Sequence, residues 1–474
     1  MKYTLCFFLL WLQLCSCSHT PSTTADSNSA ATADTFKSTV VSPITFQPGT
    51  INPKVLCSGD EALSFAVYTP SAYKEGKSYP VLILFDPHGD GSFPLNNYQS
   101  LADEFSYILI GSNNSKNGNG REETAHILQE LMQSVYQKIP VDSQRVYVGG
   151  FSGGGRVASM LALSPVRCQG LVTCGASFPP NAWTGVPPSI IVGIAGNSDM
   201  NLVEFTTWRP INKDLEGRYQ FIRFEGKHEW PSPSIFRQAF LAFEANAMRD
   251  GIKTKDDQLI QKIKLAYEDA LKSHKGPSAK IYKMSTYSQW IKSLNGLADV
   301  SVPKAGYQKL LSDPEYFKLV TEDQALFKEE EQRKAYLGKA VSNMDSVWWN
   351  NEVLKMRNEQ KSASPGRKAM LERVQGNLSL SIYMTLTRAI TSGDSNAAFF
   401  LAFLYRTVDP ENSEAWYLSS GLYAKAGAVE LANQYLEKAI SNGFNSRSRI
   451  LSDQAFQKMT SDVMFNQLLN KITN

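Results

Sequence analysis

Ser152 stands in the pentapeptide Gly150-Phe151-Ser152-Gly153-Gly154, a G-x-S-x-G pattern. The β-branched and aromatic run Val146-Tyr147-Val148 precedes it, and Val157-Ala158-Ser159-Met160-Leu161-Ala162 after it reads as a helix. A serine on a sharp strand–turn–helix connection holds its hydroxyl clear of the sheet, as a nucleophile must, and glycines tolerate the crowding on either side. The backbone N–H of Gly153 then points to where an oxyanion would form. A chain with 31 glycines produces this pentapeptide by chance as well, so the surrounding elements have to decide.

A serine hydroxyl is a weak nucleophile until a base takes its proton, and the base needs a third group to orient it. Of five histidines only His228 and His274 follow the serine, and His274 falls in a charged helical region far downstream. His228 lies in Gly226-Lys227-His228-Glu229-Trp230-Pro231, just past a strand expected over 219–224. Asp199 ends Gly196-Asn197-Ser198-Asp199, just past a strand expected over 189–195. Loops at the C-terminal ends of strands are where open α/β sheets build their sites. Glu204 and Asp214 are the rivals for the acid role, both less well placed, and Asp199 also suits the N-cap of a helix beginning near Asn201.

A third strand, 79–85, leads into Asp86-Pro87-His88-Gly89-Asp90-Gly91, the place for a second oxyanion donor from the N–H of Gly89 or Asp90. An ionised Asp90 facing an oxyanion would oppose the reaction, so its side chain is expected to point away or Gly89 to serve instead. His88 is expected to shape this loop. His126 lies beside the face that Ala125, Leu128, Leu131, Met132 and Val135 outline on a helix over 121–139, a solvated or structural position.

Alternating strands and helices over 46–250 predict a mostly parallel sheet covered by helices on both faces. So short a stretch leaves little room for a large lid. The loops 113–120 and 179–184 are expected at the site rim, with amide and aromatic groups respectively.

These motifs resemble the α/β-hydrolase superfamily, and within it secreted esterases related to polyhydroxyalkanoate depolymerases and feruloyl esterases. The likeness rests on the pentapeptide around Ser152, on His88-Gly89, and on the G-x-H-x-W-P setting of His228, and it covers roughly residues 60–250. It implies Ser152 as nucleophile, His228 as general base and Asp199 as the orienting carboxylate. Gly153 with Gly89 or Asp90 would form the oxyanion hole.

The first residues carry a different signal. Met1-Lys2 is followed by an apolar run over 5–14, too short to span a bilayer, that ends in Leu14-Cys15-Ser16-Cys17. This looks like a bacterial lipobox with Cys17 as the lipidated residue, so 1–17 is expected to be a lipoprotein signal. The Ser-, Thr- and Ala-rich segment 18–45 reads as a flexible tether of roughly 30 Å. The expected location is the bacterial envelope, lipid-anchored in the outer membrane and facing the periplasm.

A net charge of +3 over 474 residues predicts no nucleic-acid partner. No Cys/His cluster has metal-ligand spacing and no phosphate loop is present, so neither metal nor cofactor is expected. Cys57, Cys168 and Cys174 are the cysteines of the folded part; two could pair, and Cys174 reads as a core residue.

From 251 to 474 strand-like runs nearly vanish and helical periodicity takes over. The segment 413–442 places Trp416, Tyr423, Ala432, Leu436 and Ala439 in the pattern of one tetratricopeptide hairpin, with helical flanks at 396–406 and 446–470. An all-α domain with tetratricopeptide-like packing is expected, either a cap on the first half or a module for a protein partner. The leading functional reading is an ester hydrolase acting through an acyl-enzyme. A peptidase of the same fold and a non-catalytic interaction protein are the alternatives.

Overall fold

Residues 79–85, Tyr-Pro-Val-Leu-Ile-Leu-Phe, are buried throughout, as a central strand covered on both faces requires. They form β3 (Tyr79–Phe85) of an eight-stranded sheet in a computed structural model that describes residues 45–164, 166–177, 187–206 and 217–472. Cys17, nearly all of the 18–45 tether, the 179–184 loop and Asp214 lie outside the described residues. The other strands are β1 (Ile51–Leu56), β2 (Ser64–Tyr68), β4 (Ile108–Ser112), β5 (Val141–Phe151), β6 (Gly170–Cys174), β7 (Ile190–Gly196) and β8 (Tyr219–Phe224). Their order is β1-β2-β4-β3-β5-β6-β7-β8. β2 pairs antiparallel with β1 and β4, and every later pairing is parallel.

Alternate side chains serve opposite faces of the sheet. Val81, Ile83, Val146, Val148 and Leu171 pack with Leu131 and Val135 of α2 (Arg121–Lys138) and Leu161 of α3 (Gly153–Leu163). Leu82, Leu84, Tyr147 and Val172 pack with Leu95 and Tyr98 of α1 (Ser92–Phe105) and Phe236, Phe240 and Phe243 of α5 (Pro233–Arg249). A short α4 (Leu202–Thr206) follows β7. This is the mostly parallel sheet covered by helices on both faces expected over 46–250. In α2 the buried face differs by one residue: Ala125 is exposed, while Thr124 and Ile127 are buried beside Leu128 and Leu131. The three cysteines are buried and unpaired.

From α6 onward the described residues are helical. The helices are α6 (Asp257–Ser273), α7 (Ala279–Leu294), α8 (Ser301–Leu311), α9 (Pro314–Val341), α10 (Ser346–Ser362), α11 (Pro365–Ser392) and α12 (Ser395–Val408). Then come α13 (Ser413–Lys425), α14 (Val429–Ser441), α15 (Arg447–Ser452), a 3₁₀ turn (Gln454–Met459) and α16 (Val463–Asn470). Asp256, Asp313, Asp345, Asp394, Asn412 and Asp462 cap six of these helices by accepting a first-turn N–H. The α13–α14 hairpin buries Ala432, Leu436 and Ala439, but its large fully buried aromatic is Tyr417, with Trp416 and Tyr423 half-buried. Residues 447–470 break into three short pieces because Asp453 and Asp462 each start a new one.

The helical part does not sit apart from the sheet. Leu241, Ala245 and Met248 of α5 share one core with Ile260 and Ile263 of α6 and with Trp290 and Leu294 of α7. The described residues accordingly form one compact unit. Among the described residues no helix is long and apolar enough to cross a membrane.

Candidate active site

β5 ends at Phe151, and α3 starts at Gly153, so Ser152 alone makes the turn between them. Its φ of +51° and ψ of −119° lie outside the regions open to ordinary L-residues. Such a conformation costs on the order of 1–3 kcal/mol and persists only where its surroundings enforce it. Here Ser152 N–H donates to Cys174 O at 2.8 Å and Arg156 N–H to Ser152 O at 3.2 Å. A Cβ on Gly154 would overlap the carbonyl of Phe85, and one on Gly150 the carbonyl of Gly154. The backbones touch at these two glycines.

The turn aims Ser152 Oγ at His228, whose Nε2 is 2.9 Å away across 76 residues of sequence. His228 Nδ1 is 2.9 Å from Asp199 Oδ1. The carboxylate fixes the proton on Nδ1 and leaves Nε2 to accept from the serine. The Asp199 side chain is 1% exposed and that of His228 21%, so the carboxylate is shielded while the imidazole keeps an exposed edge. Asp199 Oδ1 also accepts from Asn201 N–H at 2.9 Å, and Leu202 N–H donates to Asp199 O, so one residue orients the histidine and starts α4. Glu204, the rival acid, is tied instead to Arg156 at 2.7 Å and to the N–H of Ser177. His274 is engaged elsewhere, its Nε2 lying 2.8 Å from Thr286 Oγ1, and exposed His126 pairs with Asp60 at 3.1 Å.

The histidine ring is seated by aromatic packing. The Phe151 ring lies 4.7 Å from it and 5.6 Å from Trp230. Gly175, at φ +61°, closes the other side: a Cβ there would stand 2.7 Å from Phe151 Cε2, 3.0 Å from Asp199 Oδ2 and 3.1 Å from His228 Cε1. No local sequence pattern singles out Gly175. The requirement comes from three residues that meet around it in space.

On the oxyanion side the two candidates after β3 behave differently. Gly89 N–H turns back to Asp86 O at 3.2 Å. The Asp90 carboxylate points away from the serine, accepting from Ser92 and Phe93 N–H at 3.1 Å each at the start of α1. Among the described residues the N–H groups of Asp90 and Gly153 have no protein acceptor. The 113–120 loop joins this corner, since Asn117 N–H donates to Pro87 O at 2.8 Å and its side-chain oxygen lies where a Cβ of Gly153 would go.

Asp86, which the sequence did not single out, organises the loop. Its buried carboxylate accepts from His88 N–H at 2.7 Å and from Trp230 Nε1–H at 3.0 Å. Burial pushes the carboxyl up, but the hydrogen bonds from His88 and Trp230 outweigh it and hold the group below the usual carboxylate range. The His88 imidazole, with its Nδ1 3.3 Å from Asp86 Oδ2, is raised by that side-chain contact although the side chain is 84% exposed. Among the described residues no group of three or more His, Cys, Asp or Glu is placed to hold a metal.

No family model matches the sequence, and no curated protein sequence matches it. Among solved structures, an S-formylglutathione hydrolase from Agrobacterium tumefaciens aligns at 16% identity over 40% of this chain and 90% of its own, with a TM-score of 0.29. A feruloyl esterase module from Clostridium thermocellum aligns at 13% identity over 40% of this chain and 84% of its own (TM-score 0.30). An esterase from Thermogutta terrifontis aligns at 10% identity over 41% of this chain and 91% of its own (TM-score 0.32).

Proposed function

We propose that the protein is a serine hydrolase of carboxylic esters, working through an acyl-enzyme on Ser152. The observation that carries this reading is the relay of two 2.9 Å contacts, Ser152 Oγ to His228 Nε2 and His228 Nδ1 to Asp199 Oδ1, on a serine held at positive φ. In the first half-reaction His228 takes the serine proton as Oγ bonds to the ester carbonyl carbon. The carbonyl oxygen becomes negative beside the N–H groups of Gly153 and Asp90, and the same histidine protonates the departing alcohol. In the second half-reaction His228 takes a proton from water, which attacks the acyl-enzyme, and returns it to Ser152 as the acid leaves. Asp199 holds the ring and balances its charge while the imidazolium exists. Each oxyanion donor is expected to contribute about 100- to 1,000-fold in rate.

The test is labelling of the purified full chain by a fluorophosphonate, in which Ser152 Oγ replaces fluoride on phosphorus. Wild-type protein should label and turn over p-nitrophenyl esters, and Ser152→Ala should do neither. A folded wild type that does not label would sink the proposal. Turnover of p-nitroanilides at rates comparable to esters would favour a peptidase instead.

We propose further that the enzyme is anchored in the bacterial envelope through a lipid on Cys17 and faces the periplasm. The short charged start, the apolar run and Leu14-Cys15-Ser16-Cys17 support this reading. One acyl chain alone holds a protein only marginally, so a stable anchor requires a second signal, either a further acyl chain or a basic patch. Cys17→Ala should abolish palmitate incorporation and release the protein from the membrane fraction; retention of both would exclude the anchor.

A further inference from the structure

The loop that carries Asp199 is gripped from outside the sheet. Three of the four residues in 197–200 are held by side chains of α9 or α11, and the fourth is Asp199 itself. Arg373 on α11 donates from Nη1 to Asn197 O at 2.7 Å across 176 residues of sequence. Lys334 on α9 donates from Nζ to Met200 O at 2.8 Å. Ser198 Oγ donates to Glu372 Oε2 at 2.6 Å. One carboxylate gathers the two cations: Glu330 Oε2 accepts from Arg373 Nε at 2.6 Å, and Glu330 Oε1 lies 2.6 Å from Lys334 Nζ.

This cluster is built where charge is expensive. The side chains of Arg373 and Glu330 are each 1% exposed, and that of Lys334 is 15% exposed. A buried ion pair is a poor source of stability, because desolvation cancels most of the attraction and well-packed apolar residues do as well. What apolar residues could not do is donate hydrogen bonds to two main-chain carbonyls on either side of a catalytic carboxylate. A second clamp lies beside the first. Arg223 of β8 donates to Asn197 Oδ1 at 2.9 Å and pairs with Asp323 of α9 at 2.6 and 3.0 Å. Phe327 of α9 packs against both guanidinium groups.

We propose that Arg373 and Lys334, drawn together by Glu330, are positioning residues for the reaction: the helical half fixes Asp199 by holding the main chain at Asn197 and Met200. The inference rests on the hydrolase reading above. It makes the helical half a working part of the active centre, since without it the acid loop keeps only its bonds to the sheet and the histidine loop, such as Ser198 N–H to Gly226 O at 2.9 Å.

The test is a double-mutant cycle in the full chain, read as the second-order rate of fluorophosphonate labelling. Arg373→Met is expected to slow labelling by about 10- to 100-fold, the scale of a small misplacement of a catalytic group. If it acts through Asp199, the same substitution made on top of Asp199→Ala should change the slow residual rate by less than about twofold. Lys334→Met should behave in the same way, and Lys334→Arg, which keeps a donor, should retain most of the rate. Melting curves establish that each variant is folded, and Lys334→Met carries the cycle should Arg373→Met fail to fold. Equal losses with and without Asp199 would mean a general structural role and overturn the inference, as would Arg373→Met and Lys334→Met proteins that label as fast as wild type. A wild type that never labels would overturn the hydrolase reading itself, an outcome distinct from both.

Discussion

Trp230 Nε1 donates to the buried carboxylate of Asp86 at 3.0 Å, joining the loop after β3 to the loop after β8. On the proposed mechanism one loop carries an oxyanion donor and the other the base, so this bond would set the distance between two parts of the reaction. Asp86→Ala should therefore reduce stability by about 1.5–3 kcal/mol, the worth of a hydrogen bond to a charged group, and slow ester turnover. The pH dependence has a definite sign. A free aspartate titrates at about 3.9, and in the folded protein Asp86 titrates below that. Its contribution is thus present above about pH 4 and is lost as pH falls through the folded value. Urea denaturation should show the gap between wild type and Asp86→Ala constant near neutrality and narrowing in acid. A gap that widened below pH 4 would contradict this.

Gly175→Ala tests the packing behind the histidine. The residue must hold φ +61°, and its new methyl group would press on Phe151, Asp199 and His228 together. Strain of about 1–2 kcal/mol is expected from the backbone alone. The larger effect should be on turnover, down about 100-fold with substrate KM little changed, because the methyl group displaces the acid and base rather than the substrate. Steady-state kinetics on a p-nitrophenyl ester would decide. An unchanged kcat would show that the pocket relaxes without moving the pair.

The glycines around Ser152 should not be equivalent. At Gly154 a methyl group meets the main-chain carbonyl of Phe85, which cannot move without shifting β3. At Gly153 it meets only the side-chain amide of Asn117, which can rotate. Gly154→Ala should give little folded protein, whereas Gly153→Ala should fold and lose activity modestly. Asn117→Ala should restore part of that loss. Expression yield, melting temperature and ester turnover measured across the three variants would check this ordering; equal damage at both glycines would refute it.

The parts that sequence reading reached share one property: local pattern and chemistry coincide. A strand buried on both faces reads as a continuous apolar run, and a serine, an aspartate and a histidine just past strand ends stand out by type. Smaller misreadings arise where pattern alone is ambiguous. Ala125 is apolar anywhere, whereas buried Thr124 satisfies its hydroxyl on Gly120 O at 2.8 Å, so the face of α2 is shifted by one residue. Tyr417, not Trp416, fills the α13 core because its hydroxyl reaches Asp453 at 2.7 Å. Arg373 and Glu330 were illegible for a different reason. Each lies on a charged helix where exposure is the ordinary expectation, and their burial follows from tertiary contacts that no local pattern encodes.

The chain cannot be cut just after the sheet without consequence. The strand β8 is the edge of the sheet, and its outward carbonyls are covered by one face of α7. Lys292 Nζ donates to Tyr219 O at 2.8 Å, and Ser285 Oγ and Gln289 Nε2 to Phe221 O at 2.7 and 2.8 Å. The same helix, with α6, buries Leu241, Ala245 and Met248 of α5. A fragment ending near residue 250 keeps the whole sheet and all three catalytic candidates, yet it bares an edge strand and an apolar helix face at once. Unpaired edges of this kind recruit other chains. That fragment should aggregate on size-exclusion chromatography. One ending near residue 312 retains α6 to α8 and should elute as a monomer, but without α9 and α11 it should label with a fluorophosphonate far more slowly than the full chain. Recovery of full activity in a soluble fragment ending near residue 250 would show that the helices are dispensable to both the sheet edge and the acid loop.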